Sequence, residues 1–152
     1  MPNNSSEYVF NLEAIVFGGG MLFLILLFHA LYMFFVEKRF EIMTDNLVHK
    51  KRAKWIRPVF YVMAFILTLS HLIEIYIWGK VLSFYGLVPN PHEAMIFAGS
   101  AYTTVGYGTN PLPASWDLVM VVIALSGMVT FGWSISVLSS MVSSARTRSK
   151  AG

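Results

Sequence analysis

Apolar residues fall in three long runs along the chain. The first extends from Ala14 to Val36, with His29 as its only ionisable residue. The second extends from Pro58 to Gly79 and is interrupted by His71 and Glu74. The third extends from Trp116 to Val142, with Asp117 at its start and no acid after it. A helix crossing a hydrocarbon core needs about 20 apolar residues, and each run supplies them. A fourth apolar segment is shorter. Asn90 is a good N-cap, Pro91 suits the first helical position, and Glu93 follows three residues after the cap. The resulting helix, through Tyr102, holds about 13 residues, too few to span, and fits a re-entrant segment. Gly106 and Gly108 stop it, and Pro111 and Pro113 lead back to the third run. The expected fold is therefore an all-α membrane protein with three transmembrane helices. A re-entrant helix lies between the second and the third.

Composition agrees. The 152 residues are 56% hydrophobic and only 12% charged, whereas a soluble domain has about 25% charged residues. A soluble enzyme is thereby excluded, and 15% aromatic content excludes a disordered chain. The chain has no cysteine, which removes disulfide frameworks, thiolate metal sites and cysteine nucleophiles. The serines stand in no triad-like context and there is no phosphate loop, so neither catalysis nor a small-molecule substrate is expected.

The net charge of +3 is explained by its placement. Lys38, Arg39, Lys50, Lys51, Arg52, Lys54 and Arg57 lie between the first two runs, and Arg146, Arg148 and Lys150 follow the third. Only Lys80 lies on the other side. The positive-inside rule then puts the N-terminus outside and the C-terminus in the cytoplasm of a multi-pass protein of the plasma (inner) membrane. No nucleic-acid partner is needed. The first run is too long for a cleaved leader. Trp55, Trp78 and Trp116 fall near span ends, as interfacial aromatics do. The linker Glu37 to Arg57 is expected either to extend the spans or to lie as a helix on the membrane surface. Lys51, Lys54 and Arg57 recur every third residue, yet they sit at a membrane edge with no intramembrane acids to receive them, so voltage sensing is not expected.

The chemistry is expected in Thr104-Val105-Gly106-Tyr107-Gly108. Two glycines flanking one residue permit alternating left- and right-handed backbone, and successive carbonyl oxygens can then point the same way. Several copies around an axis would form rings of oxygens. The preceding helix would aim its negative C-terminal end at that axis and favour a cation. Irregular backbone at membrane depth is tolerated where it lines such a path.

From about Pro58 to Val142 the chain resembles the pore domain of potassium channels: outer helix, pore helix, filter, inner helix. Thr103-Thr104-Val105-Gly106-Tyr107-Gly108 is similar to the family's filter signature. Gly127-Met128-Val129-Thr130-Phe131-Gly132 resembles the inner-helix segment of small bacterial channels. The resemblance implies potassium ions held by the carbonyls of Thr104, Val105, Gly106 and Tyr107 and by the Thr104 hydroxyl. Thr103, Tyr107, Gly108 and Thr109 would support or shape that filter. It also implies a homotetramer in membrane lipid, because one chain carries one pore loop, and no cofactor beyond the filter ions. Gly127 and Gly132 are gating-hinge candidates, or they let neighbouring helices approach. Three units result: a first span with basic linker (1–57), a pore domain (58–145) and a short basic tail (146–152).

Four departures stand out. Thr109 replaces the aspartate usual after the filter, Ser100 replaces a pore-helix glutamate, and Ile96-Phe97 replaces a tryptophan pair. An extra span precedes the pore module. These leave open how the filter is held, and keep a less selective cation channel or a non-conducting accessory subunit as alternatives. His71 and Glu74, three residues apart on one helical face, are a possible pH-sensing or structural pair, expected to hydrogen-bond to each other. With no third ligand nearby, a metal is not expected there. His29 is expected to stand alone, and Gly18-Gly19-Gly20 to ease helix packing. Thr130, Ser134 and Ser136 are expected to line an inner cavity.

Overall fold

A computed structural model describes residues 11–151, with side chains as far as Arg148. The expected outer tail before Asn11 and the Lys150 side chain lie outside the described residues. The fold is all helical: α1 (Leu12–His49), α2 (Ile56–Phe84), α3 (Pro91–Tyr102) and α4 (Asp117–Ala151). Two short 3₁₀ turns, Ala53–Trp55 and Ala114–Trp116, lead into α2 and α4. Three of the four helices, α1, α2 and α4, are long and apolar enough to cross a membrane, as the hydropathy pattern predicts. The fourth, α3, has 12 residues. Asn90 caps it by accepting from the backbone N–H of His92 (3.0 Å) and Glu93 (3.4 Å).

The polar linker resolves as a helical extension rather than a surface helix. The 38 residues of α1 measure about 57 Å, well beyond the roughly 30 Å of hydrocarbon. The chain then reverses in a tight turn in which Lys51 takes a φ of 53°. Residues 146–151 likewise continue α4. The projecting ends of α1 and α4 meet: Arg148 Nε lies 2.9 Å from Asp45 Oδ1, and Ser140 donates to Glu37 at 3.4 Å. The linker and α4's basic end therefore share one end of the bundle.

α1 packs mainly on α4 and then on α2, while α3 sits against α2 and α4. Its buried stripe is Ala14, Gly18, Ile25, His29, Met33, Val36, Phe40 and Thr44. Gly18 does ease packing, since a Cβ there would lie 3.3 Å from Val122; Gly19 and Gly20 face open space. One apolar cluster, around Ile25, Trp78, Phe97 and Ile123, surrounds α3. A second, around Met33, Leu67, Val137 and Met141, fills the other half. Trp78 corrects an expectation. It is fully buried rather than interfacial, and its indole N–H donates to Ser126 at 3.1 Å. A buried Trp needs such a partner for its one donor.

Candidate functional site

Residues 103–110 follow α3 as exposed, non-helical chain. Thr103 closes the helix by donating its hydroxyl to the Gly99 carbonyl at 2.7 Å. Beyond it, φ is positive at alternate residues: 58° at Thr104, 68° at Gly106 and 86° at Gly108. Glycine adopts this region at little cost, and a β-branched threonine does not, so Thr104 is strained. Val105 (71% exposed) and Tyr107 (74%) turn away from their own chain.

Ser100 holds the loop from behind. Its carbonyl accepts from the backbone N–H of Val105 (3.0 Å) and Gly106 (3.3 Å). Its hydroxyl accepts from the Tyr107 N–H at 2.5 Å and donates to the Tyr107 carbonyl at 3.0 Å. Tyr107's oxygen, one of four expected to face an ion, thus has a partner within its own chain. Further on, Asn110 donates to Asp117 at 2.7 Å, bracing the loop against the start of α4. The sequence reading missed Ser100, noting it only as a missing glutamate. No signal in the sequence marks its partner, which lies beyond the end of the helix.

Gly127 meets the same C-terminal end of α3, at its last residue. A Cβ there would collide with the Tyr102 carbonyl oxygen, so α4 approaches α3 this closely because this residue is glycine. α4 runs unbroken past Gly127 and Gly132, and Gly132 has open space around it.

Between the two apolar clusters lies a buried polar layer that corrects several expectations. His71 and Glu74 do not bond to each other. Their rings of contact run through Tyr102, whose hydroxyl donates to Glu74 Oε2 (2.5 Å) and lies 2.9 Å from His71 Nδ1 and 2.6 Å from Thr130 Oγ1. His29 does not stand alone, because its Nδ1 is 2.7 Å from Glu74 Oε1. Ser134 Oγ lies 3.1 Å from His71 Nε2 and 3.3 Å from His29 Nε2. Thr130 and Ser134 therefore face this layer rather than a cavity, and only Ser136 of the expected three is exposed. The third group near His71 and Glu74 that their local sequence lacks is supplied by α1. Donor atoms of His29, His71 and Glu74 lie within 4.8 Å of one another, and each of these side chains is engaged by hydrogen bonds inside the cluster. Neither residue-by-residue hydropathy nor spacing on one helix could assemble groups from four helices.

Comparison with known proteins matches residues 70–144 to a family model described as ion channel. No curated protein matches the chain, and no solved structure does. The matched stretch contains the second half of α2, all of α3, the loop 103–110 and most of α4. With three helices able to cross a membrane, this supports an ion channel pore domain in a multi-pass membrane protein, and hence ion transport rather than catalysis.

Proposed function

We propose that four copies of the chain assemble in the membrane around a shared axis and conduct potassium passively. In this reading the carbonyls of Thr104, Val105, Gly106 and Tyr107 and the Thr104 hydroxyl form the ion sites. Gly108 and Thr109 shape the outer end. The basic end of the bundle lies in the cytoplasm of a plasma-membrane protein. The observation that carries the reading is the alternation of positive φ at residues 104, 106 and 108, in a loop turned away from its own chain. Such a backbone needs partners around an axis to enclose it. The filter-like residues of that loop favour potassium.

A less selective cation channel is the second reading. The Tyr107 carbonyl bonded to Ser100 favours it, because one oxygen is partly withdrawn from the axis. Purified protein in liposomes tests conduction itself. Rubidium uptake above that of empty vesicles is expected, with a tetramer on cross-linking. Gly106→Ala places a methyl group on backbone at φ 68° and is expected to abolish uptake while tetramers persist. Uptake no greater than in empty vesicles, with no tetramer, would instead mark an accessory subunit.

A further inference from the structure

The buried polar layer is a closed ring. His29 Nδ1 meets Glu74 Oε1, Glu74 Oε2 meets the Tyr102 hydroxyl, and that hydroxyl meets His71 Nδ1. His71 Nε2 meets Ser134 Oγ, and Ser134 Oγ returns to His29 Nε2. Every member is buried, with His29, Glu74 and Tyr102 at 0% exposure. Five contacts close the ring, so five hydrogens are needed to fill them. Tyr102 and Ser134 bring one each, and neutral His29 and His71 bring one each, while an ionised Glu74 brings none. The ring is then one hydrogen short.

We propose that the ring holds one additional proton, shared between His29 and Glu74, and that through it the first span positions Tyr102 and the loop that follows. With that proton present, each contact has one donor and one acceptor. The combined charge of Glu74, His29 and His71 is zero, whether the proton rests on the imidazole or the carboxyl. Both conditions matter where no water compensates for a missing partner or a net charge.

The neighbours leave this balance to the ring alone. α1 contributes His29, α2 contributes His71 and Glu74, and α3 contributes Tyr102. α4 contributes the hydroxyls of Thr130 and Ser134 and the rings of Phe131 and Trp133, none of which supplies a charge. The Thr130 hydroxyl can donate to Tyr102 at 2.6 Å, sharing its hydrogen with the Gly127 carbonyl at 3.1 Å, and then takes nothing from the ring.

The two directions of titration differ. Removing the proton either leaves two imidazole nitrogens facing the single hydrogen of Ser134 or, when His71 carries its hydrogen on Nε2, leaves His71 Nδ1 facing the Tyr102 oxygen with no hydrogen between them, and in both cases a net negative charge. Adding a second proton lets both nitrogens donate to Ser134, whose own hydrogen can turn to Met33 Sδ at 3.8 Å. The acid form keeps the contacts and the alkaline form breaks one. Tyr102 immediately precedes Thr103-Thr104, and its carbonyl lies against Gly127. Loosening its hydroxyl end therefore loosens the point from which the loop leaves α3. His29 and Glu74 are positioning residues that act through Tyr102, and their effect on conduction rests on the channel reading above.

The test uses full-length protein in liposomes and two readouts. Rubidium uptake by the wild type is expected to fall about fivefold or more as pH rises from about 6 to about 9. Glu74→Gln replaces the carboxylate by an amide that donates to His29 and accepts from Tyr102. It closes the ring with no extra proton and no charge, so its uptake is expected to stay flat over the same range. Imidazole ¹⁵N resonances of the same samples report the ring independently of conduction. In the wild type those of His29 and His71 are expected to change together, and in Glu74→Gln to stay fixed. Wild-type resonances that do not move, or a variant that titrates like the wild type, would overturn the ring. Resonances as expected, with the same uptake profile in both proteins, would overturn the positioning role. Resonances as expected with no uptake at any pH would support the ring and overturn the channel reading instead.

Discussion

Ser100 takes up a task that the resemblance assigns to a carboxylate. Its hydroxyl both accepts from and donates to the Tyr107 backbone, so one small group satisfies two loop positions. Ser100→Ala removes both contacts and leaves the Tyr107 backbone N–H without its partner in the chain. Because the loop loses these contacts and the helices do not, the expected outcome is faster decay of current during sustained opening, with tetramer stability unchanged. Decay at the wild-type rate would show that Ser100 does not hold the loop. The loop's own backbone was legible from its residues: two glycines flanking one tyrosine permit alternating handedness, and φ alternates in sign. The left-handed Thr104 was not legible, because a β-branched residue is a poor candidate for that conformation. Ser100 was not legible either. A serine on an apolar helix says nothing about a partner seven residues on, across a break in the helix.

At the scale of elements, α4 is placed by contacts with α1 and α3 that depend on small residues. Gly127 lets α4 reach the Tyr102 carbonyl, and the opposing reading of Gly127 as a hinge makes a different prediction. Gly127→Ala forces the helices apart or strains α3, a cost of about 1–3 kcal/mol. A lowered melting temperature in detergent is expected for Gly127→Ala and little change for Gly132→Ala, which has open space around it. Equal stability of the two variants would remove the packing role. Helix existence and the α3 cap were readable from run length and from Asn90-Pro91. Which face of each helix is buried was not. The spans are apolar on nearly all sides, so exposed Phe23 and Phe65 look no different from buried Phe40 in a hydropathy pattern. The buried fate of Trp78 follows from the same ambiguity: a tryptophan near a span end suits an interface or a packed core equally, and only its Ser126 partner decides.

Taken as a whole, the chain exposes large apolar side chains over most of its surface, including Phe34, Leu31, Val62 and Ile135. Water cannot cover such a surface, and three helices long enough to cross a bilayer account for it. Charge was readable at this scale from placement alone, and the pairing of Arg148 with Asp45 brings the linker and the basic end of α4 to one end. The buried ring was not readable, because His29, His71, Glu74, Tyr102 and Ser134 come from four helices separated by up to 105 residues. Their meeting depends on how α1 lies across the pore-like unit, which no local pattern encodes. The match of residues 70–144 to an ion channel family concerns the pore-like unit and leaves the permeating ion to experiment. That ion is decided by bilayer recording with potassium on one side and sodium on the other. Potassium selectivity predicts a reversal potential shifted strongly toward the potassium equilibrium potential; a reversal near zero under the same gradient would contradict it.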